Sequence, residues 1–263
     1  MKTALVIIDP QNCFMDYVRS PLPVPGARSD IRRLRKFISK SKHNLDRIVV
    51  SYDNHPYDHI SHANRWIDAE DNHPTSFTVI TCDDMRDGVW RAANPDDQEW
   101  QLEYLRLLKR PHVIWPVHGQ ENEWEANIQK GLLSTLSFYH DLGKPCDYYA
   151  KGMHRDTEQF GIFGAEVPYP GVPETDINHE LIAQIDEYDT VIFAGEASSH
   201  CVMDSVKQFI DYMPSQDPTK VVLLTDCMSP VPGFAEVAEG WLSEMDAVGV
   251  RLAKSTENFL YTQ

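Results

Sequence analysis

Positive charge is scarce in this chain. Its 263 residues hold 24 lysines and arginines against 40 aspartates and glutamates, a formal net charge of −16 at pH 7. A nucleic-acid groove or a patch for an anionic membrane needs clustered positive charge, so neither partner is expected. Long apolar runs are missing too. The run from Ala4 to Ile8 meets Asp9 at once, and nothing approaches the roughly 20 apolar residues of a membrane-spanning helix. The same N-terminal run has no small-residue cleavage site, so no signal peptide is expected. Cysteine is sparse and odd in number: Cys13, Cys82, Cys146, Cys201 and Cys227, with no CxxC spacing. That argues against a disulfide framework and for a reducing, cytoplasmic setting. Internal repeats and low-complexity tracts are also absent.

What is present is alternation. Hydrophobic residues make up 42% of the chain, enough for a substantial core. Short apolar, β-branched runs occur at Thr3–Ile8, Arg47–Tyr52, Val113–Trp115, Asp147–Ala150, Thr190–Ala194 and Val221–Thr225. Helical spacing lies between them. Trp124, Ile128, Leu132 and Leu136 recur every fourth residue, and Val202, Val206, Phe209, Ile210 and Met213 form another face. Pro21, Pro23, Pro25 and Gly26 mark a loop before a helix beginning near Ser29. This pattern predicts an α/β fold with a mainly parallel sheet and helices on both faces. Residues 54–110 read differently, rich in His, Asp, Asn and Trp, with a strand-like Phe77–Thr81 and a helical Trp100–Leu108. Nothing there is linker-like, so residues 1–263 are read as one domain carrying an elaboration at about 54–110.

In an open α/β sheet, ligands gather at the carboxyl ends of the strands. Four polar places follow strand runs: Asp9, Asp53 with His55, Lys151, and the turn from Gly195 through Glu196, Ala197, Ser198, Ser199 and His200 to Cys201. Cys201 is the sharpest candidate, because it opens a helix whose positive end favours a thiolate and leaves its own N–H free to donate. A nucleophile and an oxyanion donor then reside in one residue. The other cysteines read as small buried hydrophobes. Asp53 and His55 at a strand end suit a borderline divalent metal, but two ligands are too few. His59, His62, His73 and His118 are the candidates for a third.

These residues, taken together, resemble a known family: the isochorismatase-like cysteine hydrolases, and within them the nicotinamidases. Five stretches in order carry the resemblance. Ile7 to Phe14 is similar to the first-strand motif that holds the catalytic aspartate. Asp53-Asn54-His55-Pro56 with Asp58-His59-Ile60-Ser61 resembles Asp-Trp-His-Pro…Asn-His-Ile-Ser. Trp115-Pro116-Val117-His118 resembles Trp-Pro-x-His. Lys151-Gly152 followed by Glu158, Phe160 and Phe163 resembles Lys-Gly…Asp-x-Tyr-x-x-Phe, and Gly195 to Val202 resembles Gly-x-Ala-x-x-x-Cys-Val.

The resemblance implies a three-layer α/β/α fold and an amidohydrolase working through a cysteine thioester. Asp9 is then the general base, Lys151 the residue that stabilises the ionised pair, and Cys201 the nucleophile. Ala197 and Cys201 supply the oxyanion N–H groups, with a cis peptide before Ala197. Asp53, His55 and His118 bind one divalent metal, a set that accepts zinc, manganese or iron, with zinc the expected ion. His59 is expected outside that set. Phe14 and Trp115 are placed to sandwich a flat substrate ring. The chain departs from the family at Glu196, usually apolar; at His200, usually tyrosine or phenylalanine; at Gly119, usually cysteine; and in the length of its elaboration. Glu196 and His200 are therefore read as substrate contacts. The implied substrate is a small-molecule amide, nicotinamide first, with a carbamoyl or ureido compound as the alternative. A catalytically silent binding protein and a thiol-redox protein are the readings from other classes. The resemblance also allows a homo-oligomer, although no pattern specifies an interface.

Overall fold

The computed structural model describes residues 1–260. In chain order the strands are β1 (Thr3–Ile8), β2 (Arg47–Asp53), β3 (Trp66–Ile67), β4 (Val79–Ile80), β5 (Arg91–Ala92), β6 (His112–Val113), β7 (Cys146–Lys151), β8 (Thr190–Gly195), β9 (Val221–Leu224) and β10 (Arg251–Ala253). The helices are α1 (Ala27–Ser41), α2 (Cys82–Arg86), α3 (Gln98–Leu107), α4 (Lys130–His140), α5 (His179–Asp186), α6 (Cys201–Tyr212) and α7 (Ala235–Ala247). Six strands form one sheet in the order β10-β9-β8-β1-β2-β7, and every pairing in it is parallel.

Alternation along the strands explains the layers. Leu5 and Ile7 of β1, Ile48 and Val50 of β2, and Ile192 and Ala194 of β8 face one core with Leu34 and Phe37 of α1 and Leu132 and Leu136 of α4. Val6, Ile8, Val49, Val191 and Phe193 point the other way, onto Ile182 of α5, Val206 and Phe209 of α6 and Trp241 of α7. Both faces being covered, the central strands are apolar throughout rather than every second residue. Strand order turns in opposite directions from β1, towards β2 on one side and β8 on the other. That topological switch is where the carboxyl ends of strands leave a crevice.

Two expectations need correction. Val113–Trp115 does not join the main sheet; His112 and Val113 pair antiparallel with β4, and Trp115 N–H donates to the Ser61 carbonyl. The period-four run from Trp124 is not one helix. Trp124–Ala126 is a single 3₁₀ turn, and α4 starts at Lys130 because the Gln129 side chain caps it by accepting from Leu132 N–H. The 54–110 segment contains α2, α3 and the β3–β5 pair, with a small core of Ile60, Trp66, Ile80, Met85, Tyr104 and Ile114. Among the described residues no helix is long and apolar enough to cross a membrane.

Candidate active site and metal centre

Four strand ends converge. Asp9 follows β1 in a left-handed conformation (φ 43°) that aspartate tolerates better than most residues. Ser51 of β2 fixes its carboxylate, donating from Oγ to Asp9 Oδ1 at 2.7 Å, while Asp9 N–H donates back to that hydroxyl at 3.2 Å. Gly195 ends β8 at φ +119°, and a Cβ there would stand 2.0 Å from the Ile8 carbonyl oxygen. Only glycine lets this turn close against β1 and bring Cys201 to Asp9. The Glu196–Ala197 peptide is cis. Among the described residues, the N–H groups of Ala197 and Cys201 donate to no protein acceptor.

Lys151, at the end of β7, is fully enclosed and touches all the other charged groups. Its Nζ lies 2.9 Å from Asp9 Oδ2 and 3.6 Å from Cys201 Sγ, and it also contacts Asp53 Oδ1. The Gln159 carbonyl accepts a further bond from it at 3.1 Å. Burial pulls against the ammonium, yet Asp53 and Asp9 outweigh it and hold Lys151 well above its ordinary range. Burial dominates at the other two groups. It raises Asp9 to about 6 despite Lys151, with Asp53 adding to the rise. It also lifts the Cys201 thiol well above its ordinary value, although Lys151 opposes. Cys201 opens α6 as expected, with 6% of its surface exposed.

Asp53 joins this cluster to a second one. Its backbone is clamped by the buried Gln11, whose Oε1 accepts from Asp53 N–H and whose Nε2 donates to Asp53 O, both at 2.7 Å. Asp53 Oδ2 faces His55 Nε2 at 3.7 Å and His118 Nε2 at 3.9 Å. Burial raises Asp53, but Lys151, then His55 and His118, overcome it and keep the carboxylate below its usual range. His55 Nδ1 donates to the Gly152 carbonyl and His118 Nδ1 to the Pro116 carbonyl, each at 2.8 Å. Carbonyls only accept, so Nδ1 carries a proton in each ring, and the neutral form of each presents its Nε2 lone pair towards Asp53. Gly152 (φ +66°) allows this approach, since a Cβ there would lie 2.5 Å from His55 Nδ1.

The ligand atoms of Asp53, His55 and His118 fall within 4.8 Å of one another. One carboxylate and two oriented imidazole lone pairs in a buried site are a divalent-cation set. Asp53 outweighs burial to raise His55 above its usual range, so the cluster attracts positive charge. His59 is otherwise engaged: Ser61 Oγ meets its Nδ1 at 2.7 Å and the Thr157 carbonyl its Nε2 at 3.0 Å. His73 also stands apart, its Nδ1 donating to the Trp66 carbonyl at 2.8 Å.

A partly open cavity reaches both clusters. Phe14, Trp115, Phe160, His200, Leu22 and Val231 form much of its wall, and Asp53, Lys151 and Cys201 lie along it. Trp115 meets His200 edge-on, with centroids 5.2 Å apart and planes at 89°. Ser199 Oγ accepts from Val231 N–H at 3.1 Å and lies 2.9 Å from His200 Nδ1. Burial, then Arg110, lowers His200 to about 4.

Glu196 does not line this cavity, and its assignment as a substrate contact is corrected. Its side chain is buried, with Oε2 accepting from Ser229 N–H at 3.1 Å. Burial, then the neighbouring Asp30 carboxylate, pushes its carboxyl well above the ordinary range. Gln11, Ser51, Phe160 and Glu158 were not singled out as site residues from the sequence. Gln11, Phe160 and Glu158 lie inside the quoted motifs, which was their only signal; Ser51 had none, being one more small residue within a strand.

No family model matches the chain. A nicotinamidase of Saccharomyces cerevisiae is 24% identical over 252 residues, spanning 96% of this chain and 99% of that protein. The yeast nicotinamidase structure bound to the inhibitor nicotinaldehyde superposes with a TM-score of 0.69 at 19% identity, covering 96% and 99% of the two chains. An Acinetobacter baumanii nicotinamidase/pyrazinamidase gives 0.67 at 20%, covering 97% of each. A Pyrococcus horikoshii pyrazinamidase in complex with zinc gives 0.57 at 19%, covering 97% and 99%. Over nearly its whole length the chain is nicotinamidase-like in sequence, and its fold is the isochorismatase-like α/β fold.

Proposed function

We propose that this protein hydrolyses the amide of nicotinamide to nicotinate and ammonia through a thioester on Cys201. The observation that supports the reading most is the placement of Lys151 Nζ between Asp9 and Cys201 beside an aromatic-walled cavity. Asp9 accepts the Cys201 proton, and Lys151 offsets the negative charge as sulfur becomes thiolate. The thiolate attacks the amide carbonyl carbon. The C–O bond electrons collect on an oxygen held by the Ala197 and Cys201 N–H groups. The tetrahedral adduct collapses, Asp9 returns its proton to the leaving nitrogen, and ammonia departs. A water then gives its proton to Asp9, attacks the thioester, and releases the acid with the thiol restored.

Phe14, Trp115 and Phe160 hold the flat ring and exclude water. Asp53, His55 and His118 are the residues that hold a divalent cation, zinc in this reading. When bound, it supplies Lewis acidity and open coordination positions. A second reading keeps the chemistry and changes the substrate: the polar ring of His200 in the cavity wall favours a more polar carbamoyl or ureido compound.

Ammonia release from nicotinamide, a carbamoyl and a ureido compound, in wild type and Cys201→Ala, tests both. Rapid Cys201-dependent release from nicotinamide is the expected result. Preference for the ureido compound selects the second reading, and release that survives Cys201→Ala overturns the mechanism.

A further inference from the structure

The loop after β2 brings another imidazole to the metal cluster. His62 is fully buried. Its ring stands edge-on to His55, with centroids 5.9 Å apart and planes at 89°, and to His118, at 6.0 Å and 69°. Its Nδ1 lies 3.0 Å from the Tyr57 carbonyl oxygen. A carbonyl only accepts, so Nδ1 carries the proton and the neutral ring leaves a lone pair on Nε2. That nitrogen is buried without a hydrogen-bond partner.

A buried acceptor lacking a donor is unfavourable, because it gives up its bond to water for nothing in return. The neighbouring His59 avoids that cost by engaging both nitrogens, and His112 meets the Ile60 carbonyl at 3.2 Å. For His62 Nε2, no described protein group supplies the missing donor.

We infer that His62 is a further residue of the metal centre, its Nε2 accepting a hydrogen bond from a water bound to the cation at Asp53, His55 and His118. The inference rests on the metal-dependent reading above. Two observations favour an intervening water over direct ligation. His62 is outside the set whose ligand atoms lie within 4.8 Å of one another. Its ring also stands farther from His55 and His118 than the 5.0 Å separating those two. Water on a divalent cation is a strong donor, because the cation polarises its O–H bonds. An acceptor fixed by the Tyr57 carbonyl therefore orients one open coordination position. His62 then acts on the cation as outer ligands do, through the molecule it holds.

The test is zinc binding to metal-free protein, in competition with a chromophoric chelator, for wild type, His62→Phe, His62→Gln and His118→Ala. His62→Phe keeps the ring shape and loses the lone pair; zinc affinity should fall about 10-fold or more, with the metal-free melting temperature unchanged or raised. His62→Gln retains an acceptor and should stay closer to wild type. X-ray absorption of the zinc-loaded wild type should count two imidazoles. Equal affinity in wild type and His62→Phe overturns the inference, as do three imidazoles on zinc. Should His62→Phe fail to fold, the ¹⁵N resonance of His62 Nε2 in wild type decides: it must move on zinc loading, and an unmoved resonance overturns the proposal. A wild type that binds no zinc, or a His118→Ala variant that binds it undiminished, brings down the metal centre and this inference together. Loss in His118→Ala with none in His62→Phe brings down this inference alone.

Discussion

The two oxygens of Asp53 face regions built on opposite principles. On the Oδ1 side an ammonium sits among two carboxylates and a thiol, and charge meets opposite charge at contact distance. On the Oδ2 side, oriented imidazole nitrogens surround a single carboxylate oxygen, and His62 Nε2 lacks any partner. The first region pairs its charges within the polypeptide; the second has the donor set of a divalent-cation site. Because one carboxylate serves both, a change on the metal side alters the field at Lys151. The nucleophile, which lies outside the histidine cluster, can change without disturbing the metal ligands.

The largest effect should come from the acid–base side. Cys201→Ala, Asp9→Ala and Lys151→Ala should each lower kcat by about 10⁴-fold or more, and double variants should lose little beyond the worst single one. Zinc affinity measured on Cys201→Ala should match wild type; a large loss would erase the distinction between the two regions. Asp53→Asn should damage both at once. Expected are an activity loss on the order of 10³-fold, corresponding to the several kcal/mol a metal supplies, and zinc binding weakened in the same variant. Retained zinc binding would show that Oδ2 is not a ligand.

Acid should affect the first region through its base. Asp9 must be ionised to accept a proton, and its value of about 6 means ionised base is lost as pH falls through that point. The kcat/KM profile should therefore drop about tenfold per pH unit below about 6 and level above it. Ser51→Ala removes a hydrogen bond that lowers Asp9, so the inflection should move to higher pH. An inflection that stays put or moves down would reject Asp9 as the group observed. The smallest effect is expected at Glu196. Its carboxyl is buried against Ser229 and does not line the cavity, so Glu196→Gln should leave relative kcat/KM among amides within about twofold, like other changes remote from reacting atoms. A larger change in that ratio would return Glu196 to the substrate.

Much of this arrangement was legible in the sequence for identifiable reasons. β1, β8 and β9 announce themselves because both faces are covered, leaving unbroken apolar runs. Asp9, Asp53 and Lys151 are visible as polar residues directly after strand runs, and Cys201 as the residue that opens a helix after the small-residue turn from Gly195. β10 was not seen: it is a three-residue edge strand that begins at exposed Arg251. Val113–Trp115 misled because a short apolar run cannot report whether it pairs locally or joins the sheet. Trp124 matched the α4 period yet serves outside the helix, stacked under Arg19 with 3.3 Å from guanidinium to ring centre. Side-chain direction was the main loss. Glu196 turns toward Ser229 and Asp30, groups from distant elements that spacing does not reveal. The burial of the Cys201 thiol is hidden in the same way, since a local helix terminus is readable and enclosure by other elements is not.

The central claim is an acyl group carried on Cys201, and partitioning with hydroxylamine tests it most directly. Nicotinamide is turned over at increasing hydroxylamine, and the hydroxamate and nicotinate formed are counted against ammonia released. A thioester intermediate predicts that hydroxamate rises at the expense of nicotinate while their sum stays equal to ammonia. Ammonia release accompanied by nicotinate alone, at every hydroxylamine concentration, would contradict the account.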